Sequence, residues 1–132
     1  MKKTVLSIFE YNSLQTVSVK EMCEFLEVSI SKSLKKSESK IWHGTPVWFL
    51  DGNPVVSYSV KKNGKVSLMF FSGQSFEEEQ LSPVGKFKAA EICYMDVSEI
   101  KSTYLKRWIK KAIQIQWDYK NIVKRKGVLK RV

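Results

Sequence analysis

Histidine and cysteine are almost missing from this chain. Its 132 residues include one His and two Cys. That scarcity excludes a zinc centre of clustered Cys and His, and it excludes a disulfide framework. Cys23 and Cys93 stand far apart among apolar neighbours, which predicts two buried free thiols. Long apolar runs are missing too. No stretch reaches the ~18 residues expected of a membrane span. Near the start, Glu10 ends the short apolar stretch before it could act as a signal-peptide core. The expectation is a cytoplasmic protein with no membrane partner. There is no internal repeat and no Pro/Ser-rich linker. The chain therefore reads as a single domain over 1–132, with a core of about 16–126 and a basic, frayed tail at 127–132.

Acidic residues are missing from the last quarter. Residues 1–100 carry 12 Lys+Arg and 12 Asp+Glu, whereas residues 101–132 carry 11 Lys+Arg and Asp118 alone, so the whole formal charge of +10 lies there. Such a segment suits nucleic acid, an anionic surface or an acidic protein, and it also suits a solvated helix face. What is present in quantity is apolar and aromatic, at 43% and 12%, which excludes a disordered chain.

The periodicity changes twice. A short first helix is expected to pack through Leu6, Phe9 and Leu14. Ser18 and Glu21 have capping-box spacing. Val19, Met22, Cys23, Leu26, Ile30 and Leu34 then make a buried helical stripe to about Lys36. The middle alternates instead. Pro46, which has no N–H to donate, marks the first residue or an edge of the strand VWFL. Asp51-Gly52-Asn53-Pro54 signals a turn, and PVVSYSVKK alternates after it. Asn63-Gly64 predicts a type I′ hairpin leading into KVSLMFF. SGQSFEEEQLSPVG reads as a loop with one helical turn, and FKAAEICYM as a fourth strand. From about Ser102, Leu105, Trp108, Ile109, Ala112, Ile115, Tyr119, Ile122 and Val123 keep helical period until Gly127, a natural stop. The predicted fold is α+β: N-terminal helices, an antiparallel meander of four or five strands, and a long C-terminal helix packed on it.

Four segments, "KIWHGTPVWFLDGNPVVSYS", "FFSGQSFEEE", "GKFKAAEICYMD" and "LKRWIKKAIQIQWDYKNIVKRKG", carry a family resemblance over about residues 40–127. In them the chain resembles the YdhG-like family of domains of unknown function. The resemblance implies a small cytosolic α+β domain of mostly bacterial occurrence. It also implies an alternative role, since some relatives have been described as frataxin-like intracellular iron chaperones. It implies no catalytic residues, because no such set is established for the family.

His43 has three readings. It could fix the bend at Gly44-Thr45-Pro46 through ring hydrogen bonds to the backbone. It could wall a pocket, or it could act as a base or metal ligand. The bend is the first of these, because a base needs a nucleophile to serve and a metal needs further ligands. The pocket reading gathers Trp42, His43, Trp48, Tyr58, Phe71, Lys88 and Trp117 as flat faces and polar handles. It predicts a non-enzymatic binding module for a small or anionic ligand, with no cofactor. Lys86 and Lys88, either side of Phe87, could hold an anion at the sheet's rim, or simply snorkel. Iron handling would fall to Glu21, Glu24 and Glu27, at three-residue spacing on one helix. Nucleic acid would fall to Lys106, Arg107, Lys110, Lys111, Lys124, Arg125 and Lys126, without base specificity.

Overall fold

The structure is a computed structural model that describes residues 7–132. Two helices come first, α1 (Ile8–Ser13) and α2 (Val17–Ser33). Four strands follow: β1 (Glu38–Trp42), β2 (Thr45–Leu50), β3 (Asn53–Val60) and β4 (Val66–Phe70). Two short strands, β5 (Ser82–Pro83) and β6 (Ala90–Tyr94), precede the last helix, α3 (Ser102–Gln114). The sheet is antiparallel, with order β1-β2-β3-β4-β6-β5. The expected α+β layout is there. The two strands beyond the four expected are β1, which folds back on β2 across the Trp42–Thr45 turn, and the two-residue β5.

One face of the sheet carries Trp48, Val56, Tyr58, Leu68 and Phe70, and all are buried against the helices. The α2 stripe of Val19, Met22, Cys23, Leu26, Ile30 and Leu34 is buried as its spacing predicts. Leu105, Trp108, Ile109 and Ala112 do the same for α3. Trp108 meets Phe70 edge-on at 6.1 Å. The Trp48 indole donates to Ser31 Oγ of α2 at 3.1 Å. A polar chain ties α1 to this core: Tyr58 Oη donates to Asn12 Oδ1 at 2.6 Å, and Asn12 Nδ2 donates to Glu27 Oε1 at 2.8 Å.

Several local expectations are corrected. Leu6 lies outside the described residues. Phe9 and Leu14 are exposed, and α1 buries Ile8, Tyr11 and Asn12 instead. Helix α2 starts two residues early, with Thr16 as N-cap and no side-chain cap bond, so Ser18 and Glu21 form no capping box. Its end at Ser33 falls short of Lys36. Asn63-Gly64 is not a type I′ pair: only Gly64 has positive φ, at 82°. The hydrogen bonds Gly64 N to Lys61 O and Lys61 N to Lys65 O make it a type I turn closed by a glycine bulge. The strand-connecting turns with positive φ at both central residues are His43-Gly44 (52° and 81°) and Asp51-Gly52 (50° and 81°). Cys23 is buried, but Cys93 is exposed, because β6 turns it to the open side of the sheet.

The largest departure is α3, which ends at Gln114 although its apolar period runs on to Val123. Tertiary hydrogen bonds override the local preference. Asn53 Nδ2 donates to Gln116 Oε1 and to Trp117 O, each at 3.0 Å, and Asn53 Oδ1 accepts from Lys120 N at 3.0 Å. Trp117 N donates to Ser72 Oγ at 3.0 Å. Ile115 still packs against the core, and beyond it the chain crosses to the sheet face opposite the helices, where Tyr119 meets Phe71. The tail then returns alongside. Asp118 N donates to Lys130 O at 2.7 Å and Val132 N to Gln116 O at 2.9 Å. Lys130 and Val132 are thus hydrogen-bonded through their backbone to Asp118 and Gln116.

Candidate functional site

The hairpin β1-β2 and the returning segment meet on the outer face of the sheet. In β1, alternation puts Lys40 and Trp42 on one side. The His43-Gly44 turn is tight enough to hold His43 beside its neighbour, with ring centroids of Trp42 and His43 4.2 Å apart. Trp42 packs edge-on to Phe49 at 5.5 Å and lies 6.3 Å from Phe71. Phe71 in turn meets Tyr119 edge-on at 5.5 Å. The Tyr119 hydroxyl donates to Phe71 O at 2.5 Å and accepts from Lys88 N at 3.1 Å. This pins the segment to the sheet, and burial pushes the Tyr119 hydroxyl above its ordinary pKa.

Between these parts lies a hollow of about 390 Å³. Trp42, Phe49, Pro54, Tyr119 and Ile122 give it apolar walls, and Lys40, His43 and Lys120 give it polar ones. Its volume is in the range of small-molecule sites. None of the described residues that line it is Asp or Glu. Lys40 Nζ stands 5.0 Å from the Phe49 ring centroid, and Lys120 Nζ donates to Asp51 O at 2.9 Å. The hollow is thus aromatic in its walls and positive at its rim. A planar ring can stack against Trp42, which is 37% exposed, while an attached anionic group reaches a lysine.

The seven residues expected to form a pocket divide among three places. Trp42 and His43 line the hollow, and Phe71 lies behind Trp42. Lys88 and Trp117 form a neighbouring pair on the same face, with Nζ 4.8 Å from the indole, whose N–H donates to Ser75 Oγ at 3.0 Å. Trp48 and Tyr58 are corrected: both are in the core on the opposite face. Strand alternation separates Trp48 from Phe49, so no surface pocket can hold both Trp42 and Trp48. His43 does occupy a bend, but its ring rests on Trp42, and among the described residues no hydrogen bond from the ring to the backbone forms. Lys86 lies over Phe87 at 5.2 Å, whereas Lys88 lies over Trp117. The residues that sequence reasoning missed are Lys40, Phe49, Tyr119 and Lys120. The alternation of Lys40 with Trp42 could have shown the first. The others depended on where α3 stops.

The acidic triplet does not gather. A spacing of three advances about 300° around a helix, so Glu21 and Glu27 point about 120° apart. Glu21 and Glu24 line one hollow with Phe25 and Val28, while Glu27 turns to Asn12. Among the described residues, no three His, Cys, Asp or Glu side chains could together hold a metal ion. The seven cations do not form one face either. Arg107 and Lys111 both bind Glu78, whose side chain is 6% exposed. Arg125 pairs with Asp118 at 2.8 Å. Lys124 and Lys126 lie in the turns after α3, away from Lys106 and Lys110 on the helix. No described helix is long and apolar enough to cross a membrane.

Comparison with protein-family models, curated proteins and solved structures gives no match to this chain.

Proposed function

We propose that this chain is a cytoplasmic, YdhG-like binding domain that takes a small aromatic anion in the hollow between the β1-β2 hairpin and residues 119–123. The observation that carries this reading is the combination of an exposed indole, flanking aromatic walls and two lysines, with no carboxylate in the lining. A neutral apolar pocket would not need the lysines. A phosphate site alone would not need the stacked rings. The α+β layout and two unpaired cysteines agree with the family and compartment named. The iron-chaperone reading has less to rest on, because Glu27 is diverted from Glu21 and Glu24. The nucleic-acid reading loses Arg107, Lys111 and Arg125 to carboxylates.

Tryptophan fluorescence tests the binding reading. Trp48 and Trp108 are each 1% exposed, and Trp117 lies outside the lining with its indole held by Ser75 and Lys88, so a ligand that stacks in the hollow should act mainly on Trp42. Phenyl phosphate should quench emission saturably, and inorganic phosphate should not. Lys40→Ala should weaken the affinity by about tenfold, the loss of one charge-assisted contact. Equal response to both probes, or no effect of Lys40→Ala, would count against the site.

A further inference from the structure

Helix α2 buries one stripe and leaves another bare. Val28 is 65% exposed in the middle of that bare stripe. Half-buried Phe25 and Ser29 flank it, and shallow hollows of about 490 Å³ and 250 Å³ run along it to either side. Glu21 and Glu24 line the N-terminal hollow, whereas Lys32 and Lys106 line the C-terminal one. One end of the groove is acidic and the other basic. A surface of this kind complements itself when turned end for end, which is the condition for an isologous two-fold contact.

The register agrees with the charges. Glu24 and Lys32 lie four positions on either side of Val28, and Glu21 and Lys35 lie seven on either side. Four and seven positions are close to one and two turns of helix, so Glu21, Glu24 and Lys32, all within α2, share Val28's stripe. Lys35 lies just beyond the last helical residue, Ser33. Across an antiparallel two-fold axis at Val28, Glu24 of one protomer faces Lys32 of its partner, and Glu21 approaches the C-terminal end of the partner's α2. The axis brings Val28 against Val28 and lays Phe25 beside its partner's Ser29. The symmetry makes every ion pair occur twice. A parallel pairing would set Glu24 on Glu24 and Lys32 on Lys32.

We propose that the α2 face is a homodimer interface in which two copies of this chain pair antiparallel about Val28. The contact is one helix wide, so the dimer is weak and reversible, and salt loosens it by screening the rim pairs. It leaves the hollow beside Trp42 open, since that lies on the other side of the sheet.

Sedimentation equilibrium from micromolar to millimolar protein at low salt tests this. The intact chain should show a concentration-dependent dimer that weakens in high salt. Val28→Asp should abolish it. Glu24→Lys and Lys32→Glu should each weaken it by about tenfold, because each reverses two symmetric pairs. The double variant Glu24→Lys/Lys32→Glu should restore it, since the pairs re-form with signs exchanged. All three positions are exposed, so unchanged thermal melts will show that the variants still fold. A monomer at every concentration overturns the proposal. So does a dimer that tolerates Val28→Asp, or single reversals that the double variant fails to rescue.

Discussion

Glu78 shows how much one side chain can depend on partners far away in sequence. Arg107 and Lys111, both on α3, hold its carboxylate, and Lys111 also donates to Phe76 O at 2.9 Å. The hydrogen bond from Arg107 is the main cause that lowers the Glu78 pKa from its ordinary 4.5 to about 2, with desolvation opposing it. A carboxyl depressed by folding stabilises the fold fully above its unfolded value. That contribution is lost as the pH falls from about 4.5 towards about 2. Urea melts of the wild type should therefore lose stability across this window, and Glu78→Gln should flatten that part of the profile. Solvent at Arg107 keeps the effect modest. Asn53 is the second such residue. It is 7% exposed and serves three backbone or side-chain groups of the segment 116–120. Asn53→Ala should cost about 2–3 kcal/mol, because it removes three hydrogen bonds to partly buried groups; chemical denaturation will measure it. In the sequence, Asn53 reads only as a turn residue. Its partners lie more than 60 positions away, and no local pattern announces them.

At the scale of elements, periodicity was a reliable guide wherever burial alone decides the structure. The α2 stripe and the faces of β3 and β4 follow from spacing, because a helix or strand must turn its apolar residues to one core. Turn type was less legible. Asn63-Gly64 has the composition of a type I′ turn, yet a longer loop closes it with a bulge. His43-Gly44 has a weaker signature, yet His43 adopts φ 52°. That conformation favours Asn over a β-branched residue. His43→Asn should thus leave thermal stability unchanged or raise it slightly, and His43→Val should lower it by about 1–2 kcal/mol. If both variants melted alike, the turn would not be the strained feature described. The C-terminal segment gives a further test. Deleting residues 127–132 removes the pairing with 116–118, but Val128 and Val132 are exposed and bury little. The truncated chain should keep a cooperative melt while the amides of Asp118 and its neighbours lose hydrogen-exchange protection. Loss of the cooperative melt would mean that the tail holds the core together.

For the whole molecule, the sheet separates two tasks. Its inner face, under α2 and α3, holds the core. Its outer face carries the aromatic and basic hollow beneath the segment that follows α3. The charge census foresaw a basic last quarter, but not that Glu78 and Asp118 would form ion pairs with three of its cations. Part of the aromatic cluster at Trp42 was visible in the sequence, as Trp42, His43 and Phe71, while Phe49 was passed over for Trp48. The cluster's partner Tyr119 was not visible, because the helical period there is genuine and the fold overrides it. The most direct test of binding at this hollow is an amide chemical-shift titration of the intact protein with phenyl phosphate. The account predicts saturable shifts confined to residues 40–44 and 119–123, absent with inorganic phosphate. Shifts centred elsewhere, or none at millimolar ligand, would contradict it.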